Sequence, residues 1–164
     1  MRYFIEISYN GSNFHGWQIQ PNAVTVQETI ERAFFTLLKK KIKLIAAGRT
    51  DTGVHATQMY AHFDLEEQDH LLGLKVKLNS YLGKDISVKN LYKMNKDAHA
   101  RFDAMEREYK YFIIQEKDVH NQESKYFFSR KLDFKLIQSA TEIIKKNKNF
   151  KSFCKSRTDV TNFE

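Results

Sequence analysis

The chain contains little cysteine and no long apolar run, and these two shortages exclude several classes of protein. Its 164 residues include a single cysteine, Cys154, so no disulfide can form within the chain and a reducing compartment is expected. No apolar run is long enough to span a bilayer, and no charged stretch followed by an apolar segment marks a secretory signal. We therefore expect a cytoplasmic protein that does not associate with a membrane.

Metal ligands at useful spacing are missing as well. The six histidines are scattered along the chain, none of them forms a ligand pair at helical spacing, and there is no Cys-x-x-Cys motif. We therefore predict that the chain has no metal site.

Positive charge, by contrast, is plentiful. Lysine and arginine number 27 against 20 aspartates and glutamates, which gives a net charge of +7. This excess suits a phosphate-rich partner such as RNA, because binding releases counterions, but it equally suits an ordinary solvated surface. Aromatic residues make up 13% of the chain, and exposed rings beside basic side chains can stack on bases. Composition alone leaves both interpretations open.

Hydrophobic periodicity orders the first 97 residues as strand, helix, strand, strand, helix, strand. A capping box at Thr25 and Glu28 predicts the start of the first helix. This βαβ–βαβ order indicates an α+β fold of the ferredoxin-like (RRM-like) type, with helices on one face of a mixed or antiparallel sheet. The predicted strands cover residues 2–9, 42–47, 58–65 and 86–94, and the second predicted helix covers 69–82.

The pattern breaks between residues 95 and 100, which predicts a domain boundary. We assign residues 1–97 to an N-terminal domain and 98–164 to the first part of a second, similar α/β domain. Within the latter, alternation over 108–115 predicts a strand and 125–129 a short one. Asp133 is placed to cap a helix with an apolar stripe.

The most informative segment is residues 46–56, which read Ala-Ala-Gly-Arg-Thr-Asp-Thr-Gly-Val-His-Ala. Gly48 and Gly53 bracket a tight loop that presents Asp51 at the end of a strand. Arg49 is close enough in sequence to hold this carboxylate ionised by charge and hydrogen bonding. Taken alone, however, Asp between two threonines and before glycine is also ordinary turn chemistry.

An aspartic protease is excluded, although Asp51-Thr52-Gly53 is the signature triplet of that class. Those enzymes need two such carboxylates that share one proton, and the triplet occurs here once. Arg49 would also oppose the raised pKa that one member of the pair requires.

The segment from Gly48 to His55 resembles the active-site loop of the tRNA pseudouridine synthases of the TruA family, Gly-Arg-Thr-Asp-x-Gly-Val-His. Residues 9–18 resemble that family's first strand and loop, and 25–28 the start of its first helix. Residues 99–111, which begin His-Ala-Arg-Phe-Asp-Ala, resemble its second signature block. Four motifs in the same order therefore span nearly the whole chain.

The resemblance implies an isomerase that converts uridine to pseudouridine in the anticodon stem-loop of tRNA, at positions 38, 39 and 40. It implies a homodimer in which one tRNA contacts both subunits, and a reaction without cofactor or metal. Asp51 matches the catalytic carboxylate, which attacks the sugar or the base or removes the C2′ proton; the sequence does not choose among these.

Two further residues are expected to contact the substrate. Tyr109 matches the family tyrosine that packs against the target uracil, whereas the alternation of its strand taken alone favours a core tyrosine. Arg49 is expected to pair with Asp51 and hold the loop, and the alternative for it is a surface ion pair of little energetic value.

A third group is expected to bind RNA. His15 and Trp17, with Phe14, lie in a glycine-flanked loop where we expect exposed aromatic rings that meet RNA or a second subunit. Arg101 and Arg107 offer planar guanidinium groups for phosphate or base contacts. For the neighbouring His55, capping of the next element is favoured over a phosphate contact.

The family continues into a second domain, which supplies a motif with an apolar residue and an arginine that help to close the active site. We find no such motif before Glu164, and residues 154–159 resemble the point where the family enters its next strand. Two functions therefore remain: a tRNA pseudouridine synthase, or a catalytically silent or incomplete tRNA-binding module.

Overall fold

The computed structural model describes residues 1–66, 70–120 and 122–154. The protein is of the α+β class, and the chain divides into two compact units, Met1–Lys110 and Tyr111–Glu164. The predicted domain division after residue 97 stays a prediction. In the part of the chain that is described, no helix combines the length and the apolar character that crossing a bilayer requires.

The first unit is built on a four-stranded antiparallel sheet. Its strands are β1 (Arg2–Tyr9), β2 (Ile45–Ala46), β3 (Ala56–Asp64) and β4 (Ile86–Met94). The order across the sheet is β2-β3-β1-β4, so β1 lies near its centre. Every second residue of β1 is buried, which is the burial expected for a strand with one face toward a core.

Two helices, α1 (Val26–Leu38) and α2 (Leu71–Leu82), contribute the other half of this core. The Thr25 hydroxyl accepts a hydrogen bond from the Glu28 amide at 3.4 Å, which confirms the predicted cap. Phe34 of α1 is fully buried and meets Phe63 of β3 with ring centroids 4.8 Å apart. The predicted helix over 69–82 begins at Leu71, and residue 69 lies outside the described residues.

The second predicted strand is shorter than expected. Ile42 and Leu44 are buried and their neighbours exposed, so the alternation over 42–47 is present, but only Ile45–Ala46 joins the sheet. The Leu44 amide donates to the Glu31 carboxylate at 2.8 Å, and the Leu44 carbonyl accepts from Gln27 at 3.1 Å. Side chains of α1 therefore satisfy the backbone where a neighbouring strand would otherwise do so.

The second unit contains a short parallel pair, β5 (Ile113–Ile114) and β6 (Tyr126–Phe127), and the helix α3 (Phe134–Lys146). Asp133 accepts from the Leu136 amide at 3.0 Å, so the predicted cap of α3 is confirmed. The predicted strands over 108–115 and 125–129 shrink to two residues each, because pairing in the described chain stops there.

Candidate active site

The Asp51 loop leaves the sheet at the end of β2. The Ala47 amide continues the ladder with a 2.7 Å hydrogen bond to the Tyr60 carbonyl, and the chain then turns away at Gly48. Residues 48–55 form the loop that returns into β3, and the Asp51 side chain is exposed on it. The loop is thus anchored at one end in the edge strand β2 and at the other in the central strand β3.

The loop that follows β1, residues 10–24, holds the Asp51 loop along its length. The Trp17 amide donates to the Thr50 carbonyl at 3.0 Å, and the Gly53 amide donates to the Phe14 carbonyl at 3.2 Å. The Tyr9 hydroxyl lies 2.8 Å from the Thr50 hydroxyl, and burial raises the pKa of Tyr9. The carboxylate of Asp51 is therefore carried on a backbone that is fixed on either side.

Two glycines permit this close approach. A Cβ atom on Gly11 would lie 2.1 Å from the Val54 carbonyl oxygen, and one on Gly16 would lie 2.5 Å from the Thr50 carbonyl oxygen. Gly16 also has φ of +82°, a conformation that residues with a side chain rarely adopt. Any other residue at either position would push the two loops apart.

The expectation of exposed aromatic rings in this loop is wrong for Phe14 and Trp17. Their side chains are 6% and 2% exposed, and the Trp17 ring lies 6.2 Å from that of Tyr9. These rings therefore belong to the hydrophobic core of the first unit instead of facing solvent. His15 is exposed, and its role in RNA binding stays a prediction.

His55 binds the segment that follows β1, and its predicted capping of the next element stays a prediction. Its Nδ1 accepts a hydrogen bond from the Gly11 amide at 3.2 Å, which ties the end of the Asp51 loop to the end of β1.

Residues 98–103 form a compact turn whose side chains cap its own backbone. The Nδ1 atom of His99 accepts from the amides of Arg101 and Phe102 at 3.2 and 3.3 Å. The His99 amide in return donates to the Asp103 carboxylate at 2.7 Å. This reciprocal arrangement resembles a capping box, and it leaves the side chains of Arg101 and Phe102 exposed.

Arg107 connects this turn to the start of the Asp51 loop. Its Nε and Nη2 atoms donate to the Ala47 carbonyl at 3.1 and 2.8 Å, and Nη2 also donates to the Arg101 carbonyl at 2.8 Å. The sequence predicted Arg107 only as an RNA contact. Its hydrogen bonds to two carbonyls show that it also positions the backbone of the site.

An open cleft of about 700 Å³ lies beside this connection, within the first unit. Of the predicted site residues, it brings together Trp17, Arg49, Arg101, Arg107 and Tyr109, but Asp51 and His15 are not among its described lining residues. The cleft is also lined by polar and aromatic side chains that the sequence did not single out for the site: Gln18, Gln27, Lys43 and Phe102. Each of them lies in or next to a quoted motif or charged run.

Charge in the cleft is of one sign. Lys43 and three arginines contribute to its lining, and no carboxylate is among the lining residues that the structure describes. Arg49 lines the cleft and Asp51 does not, and the predicted pairing of their side chains stays a prediction. An exposed pair would also contribute little free energy. The site therefore presents positive charge that is suited to phosphate.

Tyr109 is 74% exposed and lines the cleft, so the interpretation of Tyr109 as a core residue is wrong. Phe102, on the turn, is 76% exposed. Exposed rings in a cationic cleft are suited to stacking on a base. Over residues 1–66, 70–120 and 122–154 there is no cluster of three side chains that could hold a metal ion.

Comparison with known proteins places this site in context. No family model matches the chain. A protein named tRNA pseudouridine synthase A from Parabacteroides distasonis is 48% identical over 160 residues, which cover 97% of this chain and 64% of that protein. Proteins of the same name from Azobacteroides pseudotrichonymphae and Bacteroides thetaiotaomicron are each 44% identical across 97% of this chain. The chain spans 59% to 66% of the length of these three relatives.

Proposed function

Because the chain belongs to the TruA family of tRNA pseudouridine synthases, we propose that it converts uridine to pseudouridine in tRNA. The observation that carries the proposal is the juxtaposition of a cationic cleft with the rigidly held Asp51 loop. Arg49 belongs to both, since it lines the cleft and stands two residues before Asp51. A protein that only bound phosphate would have no need of an exposed carboxylate on the loop whose first residues, Gly48 and Arg49, line the cleft.

The cleft supplies two kinds of contact for a flipped nucleotide. Arg49, Arg101 and Lys43 offer charge for the phosphates on either side of the target, since guanidinium and ammonium groups both bind phosphate oxygens. Phe102 and Tyr109 offer exposed rings for the uracil, which must leave its stack before the sugar can be reached. We assign Tyr109 to the target base because it matches the family tyrosine.

The reaction is an isomerisation, so atoms balance within the nucleotide. The bond from N1 of uracil to C1′ of ribose breaks, a bond from C5 to C1′ forms, and the proton lost from C5 is balanced by one gained at N1. Asp51 is the carboxylate that acts on the nucleotide, either by attack on the sugar or base or by removal of the C2′ proton. None of these routes consumes a cofactor.

The finer features of the proposal rest on the resemblance. We place the target uridines in the anticodon arm, and we propose a homodimer in the cytoplasm that has domains at 1–97 and from 98 onward. The antiparallel strand order β2-β3-β1-β4, with both helices contributing to one core, supports a ferredoxin-like fold for the first unit. The excess of 7 positive charges supports a nucleic acid partner.

An incomplete or catalytically silent tRNA-binding module is the second candidate. Its support is that Asp51 is not among the described residues lining the cleft. A binder would use the same arginines and rings but would not depend on Asp51.

The test compares the wild type with Asp51→Ala and Asp51→Asn on an unmodified tRNA that carries uridine in the anticodon arm. The control is Glu116→Ala, which removes an exposed carboxylate from the second unit. A synthase loses pseudouridine formation in both Asp51 variants, keeps it in the control, and binds tRNA with affinity changed by no more than about twofold in all of them. Absence of product with the wild type, while tRNA still binds, would favour the module.

A further inference from the structure

A buried histidine outside the cleft contacts the turn that lines it. His62 lies on β3 and is 2% exposed, and its Nδ1 atom accepts a hydrogen bond from the Ala100 amide at 3.1 Å. Its ring lies 5.9 Å from that of Phe4 and 4.4 Å from that of His99, the latter edge-on. The reaction outlined above does not use His62, yet it is one of two polar or charged residues in the described chain that are buried.

The same turn has a second attachment to the sheet. Arg2 of β1 donates to both carboxylate oxygens of Asp64 at 2.9 and 2.8 Å, and its Nη1 atom donates to the Ala98 carbonyl at 2.9 Å. One peptide group on each side of His99 is therefore bound to a central strand. The attachment by Arg2 is partly exposed, whereas the one by His62 is fully buried.

These contacts determine where two cleft residues stand. Arg101 and Phe102 follow Ala100 directly, and they leave the turn toward the cleft. If the Ala100 amide lost its acceptor, a buried donor would be unsatisfied, and the turn would have to shift to expose that amide to water. Arg101 and Phe102 would then move with it, while the Asp51 loop, held by residues 10–24, would stay in place.

We propose that His62 is a positioning residue for the tRNA-binding wall of the cleft, because its neutral ring accepts the Ala100 amide and so holds Arg101 and Phe102 in place. The inference rests on the proposed function for its effect on tRNA. The underlying contact between His62 and Ala100 can be tested without it.

The acceptor role requires a neutral ring, since a protonated imidazole carries hydrogen on both nitrogens. Burial is the main cause that lowers the pKa of His62, and electrostatic interactions with Arg2 and His99 lower it further. The carboxylates of Asp64 and Asp103 act in the opposite direction. The ring is therefore neutral at neutral pH, and it loses the Ala100 bond only below the usual histidine value of about 6.5.

Two substitutions separate the acceptor from the ring. His62→Asn places an amide oxygen near the position of Nδ1 and cannot titrate, whereas His62→Phe keeps a ring that can stack but has no acceptor. His120→Asn, which changes an exposed histidine of the second unit, is the control. Pseudouridine formation and tRNA affinity are measured from pH 5.5 to 8 for all of them, together with the amide exchange rate of Ala100.

At pH 7.5 we expect His62→Phe to raise KM and the Kd for tRNA about tenfold, with kcat reduced by less than about threefold, because one buried donor is unsatisfied. His62→Asn is expected to keep the wild-type values and to abolish the weakening of affinity that the wild type shows on acidification. Equal KM and Kd in His62→Phe and the wild type, or an acid limb that persists in His62→Asn, would overturn the proposal.

Failure of the proposed function would give a different set of results from failure of the His62 proposal. If the wild type forms no pseudouridine, the pH dependence of tRNA affinity still distinguishes His62→Asn from the wild type. If tRNA does not bind either, the Ala100 amide must still exchange faster in His62→Phe than in His62→Asn. Equal exchange in both variants would contradict the contact itself, and if His62→Phe does not fold, the comparison of His62→Asn with the wild type across pH decides.

Discussion

Helices α1 and α3 have similar N-terminal caps but differ in how far their side chains are buried. Each has 13 residues, and each is capped by a side-chain oxygen, from Thr25 and from Asp133. In α1 the apolar stripe is buried, and Phe34 has no exposed surface. In α3 no residue is buried, and Ile143 is 63% exposed. An amphipathic pattern therefore predicts that a helix forms, but it does not provide the surface against which the helix packs.

The two units also differ in the glycine and proline content of their loops. All six glycines and the sole proline lie in the first unit, where loop backbones approach each other closely around Asp51. The first unit thus contains the packed core, the rigid loops and the cleft. Substitutions matched between well-packed and exposed positions test whether the site depends on that unit alone.

The largest effect is expected from the core of α1. Phe34→Ala should reduce the free energy of unfolding of the first unit by about 3–5 kcal/mol, because it leaves a cavity against Phe63. Ile143→Ala, on the exposed stripe of α3, should change it by less than about 0.5 kcal/mol. Denaturant unfolding followed by the fluorescence of Trp17 measures both variants, since the chain has a single tryptophan. Equal losses would contradict the difference between the helices.

A smaller effect on stability, but a specific one on the site, is expected at Gly16. Gly16→Ala should lower kcat at least about tenfold, because its methyl group would displace the Thr50 carbonyl next to Asp51 and also impose an unfavourable φ. The control, Gly73→Ala on α2, places its Cβ 3.9 Å from His70, an ordinary contact, and should be neutral or slightly stabilising. Pseudouridine formation and thermal unfolding are measured in parallel. Wild-type kcat in Gly16→Ala would mean that the loop contact does not position Asp51.

The smallest effect is expected from a single charge in the cleft. Lys43→Ala should reduce the slope of the logarithm of tRNA affinity against the logarithm of salt concentration by about 1, as one phosphate contact is lost. Lys146→Ala, in the last turn of α3, should leave the slope unchanged. Affinity titrations at several salt concentrations measure both. Equal slopes for the two variants would indicate that tRNA does not distinguish the cleft from the rest of the basic surface.

Most of the first unit was predictable because its local signals agree with its tertiary packing. β1 and β4 have the predicted bounds, and α1 begins at the predicted cap, since alternation and capping are local features. β2 was overestimated because Glu31 and Gln27, distant in sequence, bind the backbone of Leu44.

The roles of the site residues stay predictions, and their arrangement could not be read from the sequence. The motifs single out Asp51, Arg49 and Tyr109, but the positions of their side chains depend on the direction that each loop takes in three dimensions. Trp17 is buried although its loop was expected to expose it, and Arg49 lines the cleft whereas Asp51 does not. The contact of His62 with Ala100 joins residues 38 apart in sequence, and no local pattern indicates it.

The role of Asp51 is tested most directly by pseudouridine formation on an unmodified tRNA by the wild type, by Asp51→Ala and by Glu116→Ala. We expect product with the wild type and with Glu116→Ala, none with Asp51→Ala, and similar tRNA affinity for all three. Product formed by Asp51→Ala at the wild-type rate would contradict the assignment of Asp51 as the catalytic carboxylate.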